Sequence, residues 1–336
     1  MNKQEEMYFA ALSKDRSEIA DVLERRAVRG YKDSVVEKYS DQAHFIYELL
    51  QNADDACATR ARFILEEKRL IFAHNGTKHF SVSNPANEDY DSEHKTLGDI
   101  NAITSIANSN KTQASIGKFG VGFKAVFQYT ETPFIYDPDF KFKIERFIVP
   151  KLLTEDFPER RADETLFVFP FNHQERDEDE AYEDISDKLK NLSFPLLFLT
   201  NLKEIEFEFG NVLGLYYKNI IETVKLDGTV AEHLVLTQNS GEDIYDEEIW
   251  LFSRLDECKR RYSVGFFMDK KGNLKPVNEP AFCFFPTKEV TNLNFILHAP
   301  FLLTDSREGI RAGIPHNNKM IEHLAELSAD ALEYLS

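Results

Sequence analysis

The stretch from Phe45 to Ala58, FIYELLQNADDACA, constrains this chain more than any other part of it. At about 100° per residue, a helix over this stretch places Glu48, Asn52 and Asp55 on one narrow stripe beside an apolar face. Buried polar side chains need partners, and a metal ion with a phosphorylated ligand would supply them. An ordinary amphipathic helix with an acidic edge is the alternative that the stretch alone leaves open.

Composition narrows the classes of function. A formal net charge of −18 argues against a protein that grips a nucleic-acid backbone, although one nucleotide pocket needs only local positive charge. The 3 cysteines have no CxxC spacing, so neither a zinc site nor a disulfide framework is expected. No apolar run reaches the roughly 18 residues of a membrane helix, and the N-terminus has no secretory apolar segment. We therefore expect a cytoplasmic protein without a membrane partner.

A second informative stretch is NSNKTQASIGKFGVGFKAVF, residues 108–127. It holds three glycines and three lysines: Gly117, Gly120, Gly122, Lys111, Lys118 and Lys124. The last glycine precedes an apolar segment, Phe123 to Tyr129, which we predict to be a helix. Glycines let the backbone approach a ligand closely, and a helix N-terminus attracts phosphate. Tight turns would explain the glycine cluster equally well.

The remaining pattern predicts the organisation of the chain. It indicates helices over 15–29, over 96–107 and from about Asn318, with an exposed loop over 84–95. Alternating apolar residues predict a hairpin over 60–72 and hairpin turns at 227–228 and 269–273. The composition changes to charged hairpins at Lys203, so we predict domains over 1–202 and 203–336. The helical pattern persists at Ser336, and we expect the protein to continue beyond it.

Three motifs together resemble the GHKL ATPases. YELLQNADDA resembles their N-box, and IGKFGVGFKAVF resembles their glycine-rich box in the form that Hsp-ninety chaperones use. Thr165, which opens a predicted strand, resembles the threonine of their third box. With LLTDSREGIR later in the chain, the wording is most similar to the sacsin-type branch. The resemblance spans about residues 15–200.

This resemblance implies a fold. The family has the Bergerat fold, an α/β two-layer sandwich in which a mixed sheet carries helices on one face. A smaller α+β domain of the transducer type is then expected from residue 203.

The resemblance also implies roles for the matching residues. Glu48 becomes the general base that activates the attacking water, Asn52 becomes the protein ligand of Mg²⁺, and Asp55 supports the adenine side of the site. The other residues implied in ATP binding are His74, Asn75, Gly76, Lys111, Gly117, Lys118, Phe119, Gly120, Val121, Gly122, Phe123, Lys124 and Thr165. The segment 106–115 becomes a short lid.

One position departs from the family pattern. The family's adenine-binding aspartate is replaced here by His74, in the sequence HNG. A neutral imidazole offers one acceptor nitrogen for the adenine amino group. Recognition of the amino group by Asn75, Thr165 or water remains the alternative.

A second catalytic residue is implied in the second domain. Ser306-Arg307-Glu308 resembles the loop that, in the chaperone class, sends its arginine to the γ-phosphate. Arg307 is therefore a candidate catalytic residue. A surface loop held by a salt bridge is the alternative.

The function implied is Mg²⁺-dependent binding and slow hydrolysis of ATP, which drives lid closure and domain rearrangement in a larger chaperone-like or effector protein. The alternative is a nucleotide-gated protein-interaction module without significant turnover. Expected partners are ATP or ADP and a protein client or C-terminal effector domains, and a transient homodimer remains open. A histidine kinase is disfavoured because no phosphoacceptor helix precedes the site, and the acidic charge disfavours a topoisomerase.

Overall fold

The computed structural model describes residues 1–25, 44–106, 122–241, 243–304 and 309–336. The chain divides into two compact units. Unit 1 comprises Met1–Asn191 and Ile205–Leu213, and unit 2 comprises Leu192–Glu204 and Gly214–Ser336. The division lies near the boundary predicted at 202/203, but residues 192–204 group with unit 2 and residues 205–213 group with unit 1.

Unit 1 contains five described α-helices and two 3₁₀ segments. The helices are α1 (Lys3–Leu23), α2 (His44–Asp55), α3 (Glu88–His94), α4 (Asp99–Ile103) and α5 (Glu178–Lys190). The 3₁₀ segments are Pro85–Asn87 and Gly122–Gln128. The second of these stands where we predicted a helix from Phe123.

Two predicted boundaries in unit 1 are wrong. The first helix begins at Lys3 rather than at residue 15, because Asn2 and Glu5 form a capping box. Residues 84–95 are not a loop, since Asn84 accepts a hydrogen bond from the Ala86 N–H and starts the short helical segment that leads into α3. In both places an asparagine side chain caps the first turn, which is a local signal of a helix start.

The strands of unit 1 form a sheet in the order β7-β1-β2-β6-β3-β4-β5. The strands are β1 (Arg60–Glu66), β2 (Arg69–His74), β3 (Phe134–Tyr136), β4 (Lys141–Glu145), β5 (Val149–Leu152), β6 (Thr165–Pro170) and β7 (Glu204–Phe209). β1 and β2 form the hairpin that the sequence predicts, and β2 pairs antiparallel with β6.

Side chains alternate between the two faces of this sheet. One face carries Phe63, Phe72 and Phe167, with the Phe72 ring 4.7 Å from Phe63 and 5.8 Å from Phe167. Phe123 of the 3₁₀ helix packs onto this face. The other face carries Ile71, Ala73, Leu166 and Val168, packed against Ile64, Phe134, Tyr136 and Phe157. The aromatic face therefore lies under the elements that carry the predicted site.

Unit 2 is built from hairpins and one long helix. Its strands are β8 (Val212–Leu226, which begins in unit 1), β9 (Thr229–Asn239), β10 (Ile244–Leu255), β11 (Arg261–Met268), β12 (Leu274–Lys275), β13 (Pro280–Cys283), β14 (Phe285–Val290) and β15 (Ile296–His298). The order is β14-β13-β15-β11-β10-β9-β8, with β12 on β11. The predicted turns are confirmed, because β8 and β9 join at Asp227-Gly228 and β11 and β12 join across 269–273.

The core of unit 2 lies between its sheet and α6 (Pro315–Leu335). The helix buries one stripe, and the sheet contributes aromatic residues opposite it. The buried residues are Met320, Leu324, Leu327 and Ala331 from the helix, with Phe252, Tyr262, Val264, Phe266 and Phe301 from the sheet side. In the described part of the chain, no helix is both long enough and apolar enough to cross a membrane.

Candidate functional site

The acidic stripe of α2 faces the 3₁₀ helix that begins at Gly122. α2 buries its apolar side completely, with Phe45, Leu49 and Ala53 at most 2% exposed, whereas Glu48 is half-buried. A methyl group built on Gly122 would overlap the carboxylate of Glu48. The missing side chain of Gly122 thus leaves the space in which the Glu48 carboxylate lies, and a side chain at this position would displace the carboxylate.

Asn52 lies one helical turn after Glu48, on the same side of α2. Its side chain is only 7% exposed, and its Nδ2 has no hydrogen-bond partner among the described residues. Leaving a buried amide donor without a partner costs about 1–3 kcal/mol. An amide that is buried, unpartnered and adjacent to a carboxylate is suited to a polar ligand.

Two aspartates end α2. Asp54 is 6% exposed, whereas the predicted site residue Asp55 is exposed. The Asp55 carboxyl is nevertheless recessed among protein atoms. Its pKa is raised to about 6, mainly by this loss of water and secondarily by the Asp54 carboxylate, while Lys78 opposes the shift. The ideal helical stripe identified Asp55, but the buried acid at this end of α2 is Asp54.

The HNG segment is tied to the end of α2. The Asn75 Oδ1 accepts hydrogen bonds from the N–H groups of Thr59 and Arg60, and its Nδ2 donates to the Thr59 hydroxyl. A Cβ on Gly76 would lie 2.8 Å from Ala56, so only glycine fits there. Asn75 and Gly76 thus fix the position of the loop, a role that sequence reasoning did not assign to them.

His74 is a buried, neutral imidazole. It is 3% exposed, and burial lowers its pKa to about 4, with a smaller contribution from His79. Its Nδ1 accepts a hydrogen bond from the Gly76 N–H at 3.1 Å, and its Nε2 has no partner among the described residues. The bond from Gly76 places the proton on Nε2, so the expectation that His74 accepts from an adenine amino group does not fit this geometry.

Thr165 stands beside His74 in the sheet, because the two residues pair across β2 and β6. Its hydroxyl donates to Oδ2 of Asp137 at 2.7 Å, and both side chains are buried. Sequence reasoning missed Asp137. The only sequence signal for Asp137 was an Asp-Pro pair directly after β3, and such a pair indicates a turn more often than a functional site.

Two predicted nucleotide contacts lie in the core. Phe123 is buried, and its ring is 6.1 Å from both Phe167 and Phe169. Lys124 is 1% exposed, and its ammonium donates to the Phe147 carbonyl at 3.0 Å and stacks over the Phe147 ring. Burial, with a smaller contribution from Arg16, lowers the pKa of Lys124 to about 7. A phosphate contact would require Lys124 to leave Phe147.

The remaining predicted site residues lie outside the described residues. They are Lys111, Gly117, Lys118, Phe119, Gly120, Val121 and Arg307. The segment 106–115, apart from Ile106, lies outside them as well.

The described residues contain no group of three or more His, Cys, Asp or Glu side chains able to hold a metal ion. A site of the Mg²⁺ type needs fewer protein ligands, because substrate phosphates and water complete its oxygen shell. In such a site only the Oδ1 of Asn52 could be a ligand of the ion, because its unpartnered Nδ2 is a hydrogen-bond donor.

Comparisons with known proteins bear on the same region. Residues 30–144 match the model of the sacsin domain. Protein NO VEIN of Arabidopsis thaliana is 26% identical over 350 aligned residues, which cover 88% of this chain and 11% of that protein. Human sacsin is 31% identical over 108 residues, which cover 31% of this chain and 2% of sacsin. The chain thus spans a small fraction of the length of either relative.

Proposed function

We propose that unit 1 binds ATP with Mg²⁺ and hydrolyses it slowly, and the match of residues 30–144 to the sacsin domain supports this proposal. One observation supports this most strongly: the Glu48 carboxylate fills the space above Gly122, one turn from the buried and unpartnered amide of Asn52. A carboxylate that can accept a proton from water and an amide whose oxygen can bind Mg²⁺ suit phosphoryl transfer to water, which depends mainly on positioning and charge neutralisation.

Each residue has a defined task in this proposal. Glu48 orients the attacking water and accepts its proton. The Asn52 side chain would hold Mg²⁺ through its oxygen, and the ion when bound neutralises charge on the phosphates. Gly122 allows the carboxylate to lie against the backbone where the phosphates are expected. The protein therefore acts mainly by positioning, which is consistent with slow turnover.

At the level of the whole protein, we propose that nucleotide binding drives lid closure and domain rearrangement in a longer, cytoplasmic, chaperone-like or effector protein. The match to the sacsin domain supports a chaperone-related role. The Bergerat fold for unit 1 and a transducer-like role for unit 2 belong to the same proposal. Arg307 keeps its proposed role at the γ-phosphate, and a protein client or further domains receive the movement.

A second candidate function is a nucleotide-gated interaction module that binds ATP without turning it over. The placement of Lys124 favours it, because the ammonium of this lysine lies against Phe147 in the core and does not neutralise phosphate charge. Only turnover separates the two candidates.

The test has two steps on the 336-residue chain. Calorimetry with millimolar ATP, with and without Mg²⁺, measures binding, and no heat of binding in either condition contradicts both candidates. Phosphate release from saturating ATP then separates them. Slow release that Glu48→Gln abolishes supports hydrolysis, and ATP binding without any release supports the gated module.

A further inference from the structure

Two buried polar side chains face the same region of the unit 1 sheet. His74 ends β2 and pairs directly with Thr165, which begins β6. Directly opposed residues in an antiparallel pair project to the same face, so these side chains are neighbours. Phe72 and Phe167, which pair one step along the same face, lie beside them, with the ring of His74 5.9 Å from Phe72 and 6.1 Å from Phe167. The two polar side chains thus lie at one end of the aromatic face of the sheet.

The hydrogen bond from Gly76 sets the polarity of His74. A neutral imidazole has one N–H and one acceptor nitrogen. Because Nδ1 accepts from the Gly76 N–H at 3.1 Å, the ring proton is on Nε2. Nε2 is buried, and no partner for it is found within the described ranges. His74 therefore presents a hydrogen-bond donor that lacks an acceptor.

Asp137 sets the opposite polarity at Thr165. The Thr165 hydroxyl donates to the Asp137 Oδ2 at 2.7 Å, and the other carboxylate oxygen accepts from the Asp139 N–H at 3.0 Å. Asp137 is fully buried, and His79 lies 3.4 Å from its Oδ2. With its only hydrogen directed at a carboxylate, the Thr165 oxygen has acceptor lone pairs alone to offer a ligand.

A donor and an acceptor side by side match one edge of adenine. Adenine presents an acceptor at N1 next to a donor at its 6-amino group. Hypoxanthine and guanine present a donor at N1 and an acceptor at position 6, so in the same pose N1–H would meet Nε2–H.

We infer that His74 and Thr165 form a donor–acceptor pair that reads the N1 and 6-amino positions of adenine, and that Asp137 is the positioning residue that fixes the acceptor role of Thr165. The inference rests on the proposed ATP binding and adds the base specificity of that site. His74 then takes over adenine recognition with the polarity opposite to that of an aspartate, and the carboxylate acts through Thr165 rather than on the base.

Two ATP analogues test the pair in the wild-type chain by calorimetry. 1-Deaza-ATP lacks the N1 acceptor and keeps the amino group, whereas purine riboside triphosphate keeps N1 and lacks the amino group. Each analogue loses one neutral hydrogen bond, so each should bind roughly 3- to 10-fold more weakly than ATP. ITP, which reverses both positions, should bind more weakly than either.

Two variants connect each preference to its residue. His74→Phe keeps an aromatic ring between Phe72 and Phe167, and it should bind ATP and 1-deaza-ATP equally while still preferring ATP over purine riboside triphosphate. In Asp137→Asn, the amide oxygen stays on the Asp139 N–H, so the new NH₂ group faces Thr165 and frees its hydroxyl hydrogen. This variant should lose the preference for the 6-amino group and keep the preference for N1.

This crossed pattern separates specificity from general damage, since a misfolded site would weaken all nucleotides together. If the wild-type chain binds ATP and both analogues equally, the inference is wrong and ATP binding itself stands. If His74→Phe keeps the full preference for N1, the donor has been misassigned. If no nucleotide binds, the proposed function and this inference fail together.

Discussion

Two buried asparagines, one in each unit, are used in opposite ways. Asn317, on α6, is 2% exposed; its Oδ1 accepts from the Leu302 N–H, and its Nδ2 donates to the carbonyls of Leu302 and Arg311 at 2.8–2.9 Å. Asn52, on α2, is 7% exposed, and its Nδ2 has no partner in the described part of the chain. One amide holds a loop against a helix. In the other amide the Nδ2 donor has no described partner, which is expected where a ligand supplies the missing acceptor.

The contrast extends to the neighbours of Asn52. The Glu48 carboxylate lies against Gly122, which begins the 3₁₀ helix packed on the aromatic face. His74 lies on that face, and its Nε2 also lacks a described partner. If these groups serve a ligand, substitutions among them should change chemistry more than stability. Substitutions around Asn317 should do the reverse.

The largest effect is expected from Glu48→Gln, which keeps the shape of the side chain and removes the base. Loss of a general base typically costs ~10²–10⁴ in rate. Phosphate release should fall by that factor, while the affinity for ATP measured by calorimetry stays within a few-fold of wild type. Glu67→Gln, in the exposed turn between β1 and β2, is the matched control and should hydrolyse normally. Wild-type turnover by Glu48→Gln would show that the base is elsewhere.

Gly122→Ala should act through Glu48. The added methyl group would displace the carboxylate, and a misplacement of about 1 Å can cost ~10² in rate. A double-mutant cycle measures the coupling between the two residues. In the wild-type background Gly122→Ala should lower the free energy of unfolding, because the methyl group displaces the carboxylate. In a Glu48→Ala background the methyl group has room, and the same substitution should not lower it. Equal losses of stability in both backgrounds would show that the two residues do not interact.

The two asparagines should differ in stability. Asn317→Ala removes three hydrogen bonds at a net ~1 kcal/mol each, so urea denaturation should show a loss of about 3 kcal/mol. Asn52→Ala should change the free energy of unfolding by less than about 1 kcal/mol, because no described bond of its Nδ2 is lost. Similar losses of unfolding free energy in the two variants would show that Asn52, like Asn317, stabilises the fold.

The smallest effect concerns Asp55. Its pKa is raised from 3.8 to about 6, so ionisation of this carboxyl disfavours the folded state. Asp55→Asn should therefore be more stable than wild type at pH 7.5, and the advantage should shrink as the pH falls through 6 towards 4. Denaturation curves of both proteins over this range check the sign, and a difference that does not depend on pH would contradict it.

Sequence reasoning predicted those features of the candidate site that depend on local sequence. Helical spacing placed Glu48 and Asn52 on one face of α2, and the hairpin of β1 and β2 followed from alternation. Asp137 could not be found in that way, because its link to Thr165 depends on the pairing of β3 with β6, strands far apart in sequence. The placement of Lys124 also depends on residues distant in sequence: a lysine beside glycines suggests phosphate, but its ammonium lies against Phe147.

Helix starts show the same division. The capping box of Asn2 and Glu5 is a local signal that sequence reasoning overlooked, so the start of α1 was predictable. Which of Asp54 and Asp55 is buried was not predictable, because it depends on the path of the chain from the end of α2 to β1. Local sequence thus predicts the helices and strands, whereas the burial and hydrogen-bond partners of the site residues depend on contacts between these elements.

The measurement that tests the central claim most directly is the Mg²⁺ dependence of ATP affinity in wild type and in Asn52→Ala, compared by calorimetry. Mg²⁺ should strengthen ATP binding to the wild-type chain. In Asn52→Ala the added ion should have little effect, although the variant should melt like wild type without nucleotide. If both proteins bind ATP with the same Mg²⁺ dependence, the Asn52 side chain does not hold the ion and the account is wrong.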